Sequence, residues 1–229
     1  MFGIKTILIN YYYRKKANKL SNDRQITRLM QHFSVDETIH EANISRADLG
    51  YGWLHYGIIR QKKPKTLLCI GSRHGFIPAI MAQACKDNGT GIVDFVDAGY
   101  GKSDTNNWSG QAYWRNKEGS NCFKNFSLDK HIHMFVQTTA EFKKSHQHKK
   151  YDYIYIDGDH SYKGAKFDFD SFWPNLNQTG YMLLHDISID STPSEGEYGV
   201  KRLFDEVAKT TPHIKINHPN SGLGILQKE

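Results

Sequence analysis

The chain is poor in several things that would otherwise define its class. Three cysteines, Cys69, Cys85 and Cys122, form neither an even framework nor a CxxC, so a disulfide scaffold is excluded and a reducing, cytoplasmic setting is expected. No stretch approaches the ~20 consecutive apolar residues of a membrane-spanning helix. Internal repeats and low-complexity segments are missing, and so is the GxGxxG fingerprint of dinucleotide-binding proteins. The net charge of +6 comes without a zinc finger or an RNA-binding motif. Its basic residues are spread out, apart from Arg14-Lys15-Lys16 and the patch at Lys143-Lys144 and Lys149-Lys150. A solvated basic surface follows, and no nucleic-acid partner is expected. The opening MFGIKTILINYYYRKKANK is broken by Lys5 and followed by basic residues, which argues against a signal peptide. An aromatic and basic segment of this kind can make peripheral membrane contact, or dock on its own domain or on a second copy in a homo-oligomer.

What is present is a polar but foldable chain: 229 residues, 13% aromatic, mean hydropathy -0.63. That length suits one domain with an appendage and buries a full core. Residues 1–60 read as a helical N-terminal cover, with Ser45-Arg46-Ala47-Asp48 spaced as a capping box that would open a helix. From Lys65 the texture alternates. Strands are predicted at 66–70, 91–96, 133–137, 153–156 and 181–184, with helices at 77–86 and 199–209. Two strand-like runs flank Pro219-Asn220-Ser221-Gly222, a hairpin signal. The fold class expected over 61–229 is α/β: a doubly wound, mostly parallel Rossmann-like sheet with an antiparallel edge. Residues 98–131 form a long insertion, rich in Trp108, Tyr113, Trp114, Phe123 and Phe126, readable as a lid or substrate wall.

Chemistry gathers where strands end. YDYIYI stops at Asp157-Gly158-Asp159-His160, and YMLL stops at His185-Asp186. The carboxyl ends of strands in open α/β sheets are where ligands bind. The alternative is that these are ordinary capping acids and turn residues. After the first strand comes Gly71-Ser72-Arg73-His74-Gly75, whose glycines allow close backbone approach and a turn into a helix N-terminus. Asp97 ends the second strand 22 residues after Gly75, the placement of an acid that binds both hydroxyls of a ribose. Asp94 falls on the opposite face of that strand.

Taken together, the Gly71-x-x-x-Gly75 loop, Asp97, IDGDHSY, LLHD and the terminal GLGIL resemble the class I S-adenosylmethionine-dependent methyltransferases. IDGDHSY and LLHD are similar to the small-molecule O-methyltransferase branch that includes catechol and macrolide-sugar enzymes. The resemblance covers roughly residues 60–229 and implies a seven-stranded sheet with a reversed last strand. It implies that Gly71, Ser72 and Gly75 meet the methionine part of S-adenosylmethionine, that Asp97 binds the ribose, and that Thr138 and Thr139 flank the adenine. It puts Asp157 at the boundary of cofactor and acceptor as a divalent-metal ligand, with Asp186 as the second acid for magnesium. Two positions depart from the pattern. Cys69 stands where the first strand usually carries an acid, and His185-Asp186-Ile187 lacks both the Asn of catechol-type enzymes and the paired acid of sugar-modifying ones. Hard cations prefer oxygen, whereas imidazole suits transition metals.

Methyl transfer from a sulfonium is an in-line displacement helped by positioning, and an alcohol acceptor benefits from a base. His160 and His185 are the candidates for that base, beside Asp157. The expected partner is a small-molecule acceptor, such as a sugar hydroxyl. Two other functions fit less of the sequence. A nucleic-acid base methyltransferase would carry an Asn/Asp-Pro-Pro-aromatic run where this chain has Asp157-Gly158-Asp159-His160. A catalytically silent cofactor-binding or scaffold relative is suggested by Cys69 alone.

Overall fold

The computed structural model describes residues 23–33, 40–100, 112–115, 121–192 and 196–229. The basic and aromatic N-terminal segment and Trp108 lie outside these residues. The elements run α1 (Asp23–His32), α2 (Tyr51–Lys62), β1 (Thr66–Ile70), α3 (Phe76–Asn88), β2 (Ile92–Asp97), β3 (Ile132–Val136), α4 (Thr139–His146), β4 (Tyr151–Ile156), α5 (Tyr162–Phe172) and β5 (Leu176–His185). A two-stranded ribbon, β6 (Ser191–Thr192) and β7 (Gly196–Glu197), precedes α6 (Val200–Val207), β8 (His213–Ile216) and β9 (Leu223–Gln227).

The main sheet has seven strands in the order β3-β2-β1-β4-β5-β9-β8. β1 to β5 are parallel, and β9 runs antiparallel between β5 and β8. This is the sheet expected from the alternating sequence and the terminal hairpin. Both faces are covered because the buried strands are apolar at nearly every position. Leu67, Cys69, Phe95, Tyr153 and Tyr155 point to one core with α1, α2 and α3. Leu68, Ile70, Val96, Ile154, Ile156 and Leu184 point to a second core with α4, α5 and α6. The described part of residues 1–60 belongs to the first core: Leu29, Met30, Phe33 and Ile59 are buried there against the sheet helices.

Two local readings change. The Ser45–Asp48 spacing does not open a helix. Asn43 caps a single 3-10 turn, Ala47 leaves it with φ 52, and α2 begins at Tyr51 after Gly50. Asp48 instead accepts from the Gly50 amide and the Trp53 indole. The strand predicted at 181–184 is longer, since β5 already runs from Leu176. Thr179 at φ 60 accompanies a register shift against β4 rather than ending the strand.

The chain order reverses at β1, since β2 lies on one side and β4 on the other. A crevice must open above such a switch point. Gly71 follows β1 there and Asp157 follows β4.

Candidate active site

A cleft of about 1290 Å³ occupies this crevice, lined by the loops after β1, β2 and β4, the start of α4, and one face of α5. Of the residues singled out from the sequence, Gly71, Ser72, Asp97, Thr138, Thr139, Asp157 and His160 line it. Gly75 sits just behind, as the N-cap of α3. His185 and Asp186 lie beneath the β4 side.

One half of the site is fastened by backbone. Asp97 accepts from the Ser72 amide at 3.1 Å through one oxygen and from the Gly99 amide at 2.7 Å through the other. Burial pushes its carboxyl up to about 6 against the pull of those amides. The Ser72 hydroxyl accepts from the Gly75 amide at 3.0 Å and closes the loop. The Trp114 indole donates to the Ser72 carbonyl at 2.7 Å. Gly75, at φ 90, leaves room for that ring, since a Cβ there would stand 2.7 Å from it. Gly71 has φ 78, and a side chain on it would drive into the carbonyl of Asp157. The first glycine therefore serves the meeting of β1 and β4 as much as any ligand. Part of the aromatic insertion is accordingly core: Trp114 stacks on Phe123 and meets Phe95 edge-on.

The other half is built from charge. His160 Nε2 stands 3.5 Å from both Asp157 and Asp186. His185 Nδ1 stands 3.1 Å from Asp186 and 3.3 Å from Asp157 without aligning on either oxygen as a hydrogen bond. Its Nε2 has no hydrogen-bond partner among the described residues. Asp186 holds φ 59, a left-handed conformation that Asp tolerates better than most residues and that is common at functional sites. Burial alone would raise the Asp157 carboxyl, but the charge of His185 and the approach of His160 hold it well below the usual range. Burial opposes charging His160, yet its approach to Asp157 and the charge of Asp186 push it up. His185 is pushed up further by Asp186 and Asp157, again against burial.

The two histidines are not equivalent. His160 lines the cleft with a side chain 10% exposed, while His185 is 1% exposed and walled in by His40, Tyr51 and Tyr155. Only the first can touch a bound molecule without rearrangement. His160 is held in place by the Tyr198 ring at 4.7 Å and by its own carbonyl, which accepts from Gly199.

Thr138 has a job already: it forms a capping box with Glu141 at the start of α4. Its mark in the sequence is the T-x-x-E spacing from Thr138 to Glu141. Beside Thr139 the cleft is lined by Asp168, an acid of α5 that sequence reasoning missed. Its signal was an acid on the apolar stripe Ala165, Asp168, Phe169, Phe172. Asp159, by contrast, folds back to accept from Ser161 and packs on Gly164, a turn role.

Compared with known proteins, residues 68–187, just over half of the chain, match a family model described as "Methyltransferase domain". Among solved structures, an O-methyltransferase from Bacillus cereus in complex with S-adenosylhomocysteine superposes with a TM-score of 0.61 at 11% identity, covering 96% of this chain and 97% of that one. TomG, an O-methyltransferase of tomaymycin synthesis from Streptomyces achromogenes in complex with S-adenosylmethionine, gives 0.59 at 13% identity over 96% of each chain. The Podospora anserina methyltransferase PaMTH1, bound to S-adenosylhomocysteine, gives 0.59 at 13% identity, covering 100% of this chain and 97% of its own. At these identities the likeness is one of fold. A curated relative, the uncharacterized protein y4gI of Sinorhizobium fredii, is 23% identical over 180 residues, 76% of this chain. The chain spans only 19% of that relative's length.

Proposed function

The chain belongs to the methyltransferase-domain family, and from that premise we propose that it is an S-adenosylmethionine-dependent O-methyltransferase acting on a hydroxyl of a sugar or another polyhydroxylated small molecule. The observation that carries this reading is the convergence on one cleft of a backbone-fastened Gly71–Gly75 loop with Asp97 and a buried cluster of two acids and two imidazoles. In this reading Gly71, Ser72 and Gly75 take the methionine end of the cofactor and Asp97 the ribose, whose two hydroxyls match two carboxylate oxygens. Thr138 and Thr139 border the adenine. Asp157 stands between cofactor and acceptor.

A divalent cation fits the acid cluster. Asp157, His160 and Asp186 bring one ligand atom each to within 4.8 Å of one another. Asp157 and Asp186 would hold the ion through oxygen, the donor type that magnesium and manganese prefer, leaving the His160 imidazole beside it for the acceptor proton. When bound, such an ion orients a hydroxyl and lowers its pKa. The chain's own contribution is position. His160 faces the cleft and is the group within reach of the acceptor proton, while His185, behind it, fixes the two carboxylates. No helix of the described residues is long and apolar enough to cross a membrane. The three cysteines are free and buried, which suits a reducing cytoplasm.

Transfer of a labelled methyl group from S-adenosylmethionine to a panel of sugars and polyols tests the reading. Turnover on at least one member is expected, together with its loss on chelation and its return with magnesium or manganese. Tight cofactor binding with no transfer to any hydroxyl would instead mark a catalytically silent relative.

A further inference from the structure

A line of polar rings crosses the first core beneath the acid cluster. His55 on α2 and Tyr153 and Tyr155 on β4 are all buried, and the reading above uses none of them. The Tyr153 hydroxyl meets His55 Nδ1 at 2.8 Å. The Tyr155 ring lies edge-on to the His55 ring at 4.5 Å and to the His185 ring at 6.3 Å. His55 Nε2, the Tyr155 hydroxyl and His185 Nε2 have no hydrogen-bond partner among the described residues. Three dry polar atoms on neighbouring rings are strongly destabilising, and native cores satisfy such groups with ordered water that makes about three hydrogen bonds.

The three groups complement a water. Burial, with the charges of His40 and His185, pushes the His55 imidazole down to about 3, so the ring stays neutral. Bonded to Tyr153 through Nδ1, it offers an acceptor or a donor at Nε2 according to its tautomer, and water can meet either. Burial and the charge of Asp157 push the Tyr155 phenol well above its usual value, so its O–H remains a donor. His185 presents Nδ1 to the two carboxylates, which leaves Nε2 for the rings behind it.

We propose that one buried water bridges His55 Nε2, the Tyr155 hydroxyl and His185 Nε2, and that through it α2 of the N-terminal cover holds His185, and so Asp157 and Asp186, in the geometry turnover needs. His55 and Tyr155 are positioning residues, acting through His185 and touching no substrate. Their part in turnover rests on the methyltransferase reading; the water site does not. A high-resolution crystal structure of the full chain should show one ordered water within hydrogen-bond distance of all three atoms. Tyr155→Phe deletes one hydroxyl and keeps the ring. On an acceptor found with the sugar and polyol panel, its turnover should fall about tenfold, the equivalent of one hydrogen bond, with acceptor KM and S-adenosylhomocysteine affinity little changed. His55→Leu should lose as much, and His55→Gln, which returns a polar end, should recover part of it. A residue serving packing alone would lower the melting temperature and leave the turnover of the folded enzyme unchanged. Native crystals without a water joining the three atoms, or native turnover in folded Tyr155→Phe, overturn the proposal. If the native chain methylates no hydroxyl, the methyltransferase reading has failed, and the crystal structure still decides the water site.

Discussion

The two halves of the cleft are held by different physics. On the β1–β2 side, Asp97 and the glycine loop are tied by short hydrogen bonds from backbone amides, a geometry complete before any ligand arrives. On the β4–β5 side, two carboxylates and two imidazoles stand 3.1 to 3.5 Å apart, and His185 Nε2 has no hydrogen-bond partner among the described residues. A preformed cradle suits a cofactor common to many enzymes. A charged cluster with unspent donors and acceptors suits chemistry, where a proton or a cation must be accommodated. The difference teaches that the two halves should fail differently when mutated.

The largest effect is expected on the charged side. Asp157→Ala removes the anion between both imidazoles and one of the two acids proposed for the cation, so turnover should fall ~10³-fold or more, with single-turnover assays at saturating cofactor as the check. His160→Ala should lower turnover by ~10²- to 10⁴-fold while leaving S-adenosylhomocysteine affinity within a few-fold. Near-normal turnover in that variant would move the base to another group, with His185 next to be replaced. Gly71→Ala strikes the seam between the halves. Its φ of 78 and the carbonyl of Asp157 leave no room for a methyl group, so chemical denaturation should show a loss of ~2–4 kcal/mol.

Smaller effects sharpen the picture. Asp168 has a folded pKa of about 7, above the ordinary carboxylate range. Its contribution to stability is thus intact at low pH and is lost as pH rises through about 7. Asp168→Asn escapes that loss, so the ligand-free variant should be more stable than the native chain near pH 8 by on the order of 1–3 kcal/mol, a gain that shrinks toward pH 5. Thermal melts across that range check the sign. Trp114→Phe keeps the ring stack and loses the bond to the Ser72 carbonyl, for ~1 kcal/mol of stability and a modest loss of cofactor affinity.

How much of this was legible follows from the range of the interactions. The sheet order could be read because each buried strand is an apolar run and each connection a helix, both local patterns. Asp97 was found by counting from Gly75, because strand and helix lengths fix that distance. Asp168 escaped because Thr139 and Gly158, beside which it lines the cleft, reach it only through the fold. The inequality of His160 and His185 was hidden for the same reason: both end strands in similar sequence, and only the packing of His40, Tyr51 and Tyr155 around one of them separates their roles. The Ser45–Asp48 spacing misled because a capping pattern is a necessary feature of many turns and not a sufficient sign of a helix.

The central claim, a cleft preformed for S-adenosylmethionine, is tested most directly by calorimetric titration of S-adenosylhomocysteine into the native chain and into Asp97→Ala. Saturable one-to-one binding by the native chain is expected, weakened roughly tenfold or more in the variant, since each ribose bond proposed for Asp97 would contribute ~1.5–3 kcal/mol. Absence of binding by the native chain, or equal affinity in the two, would contradict it.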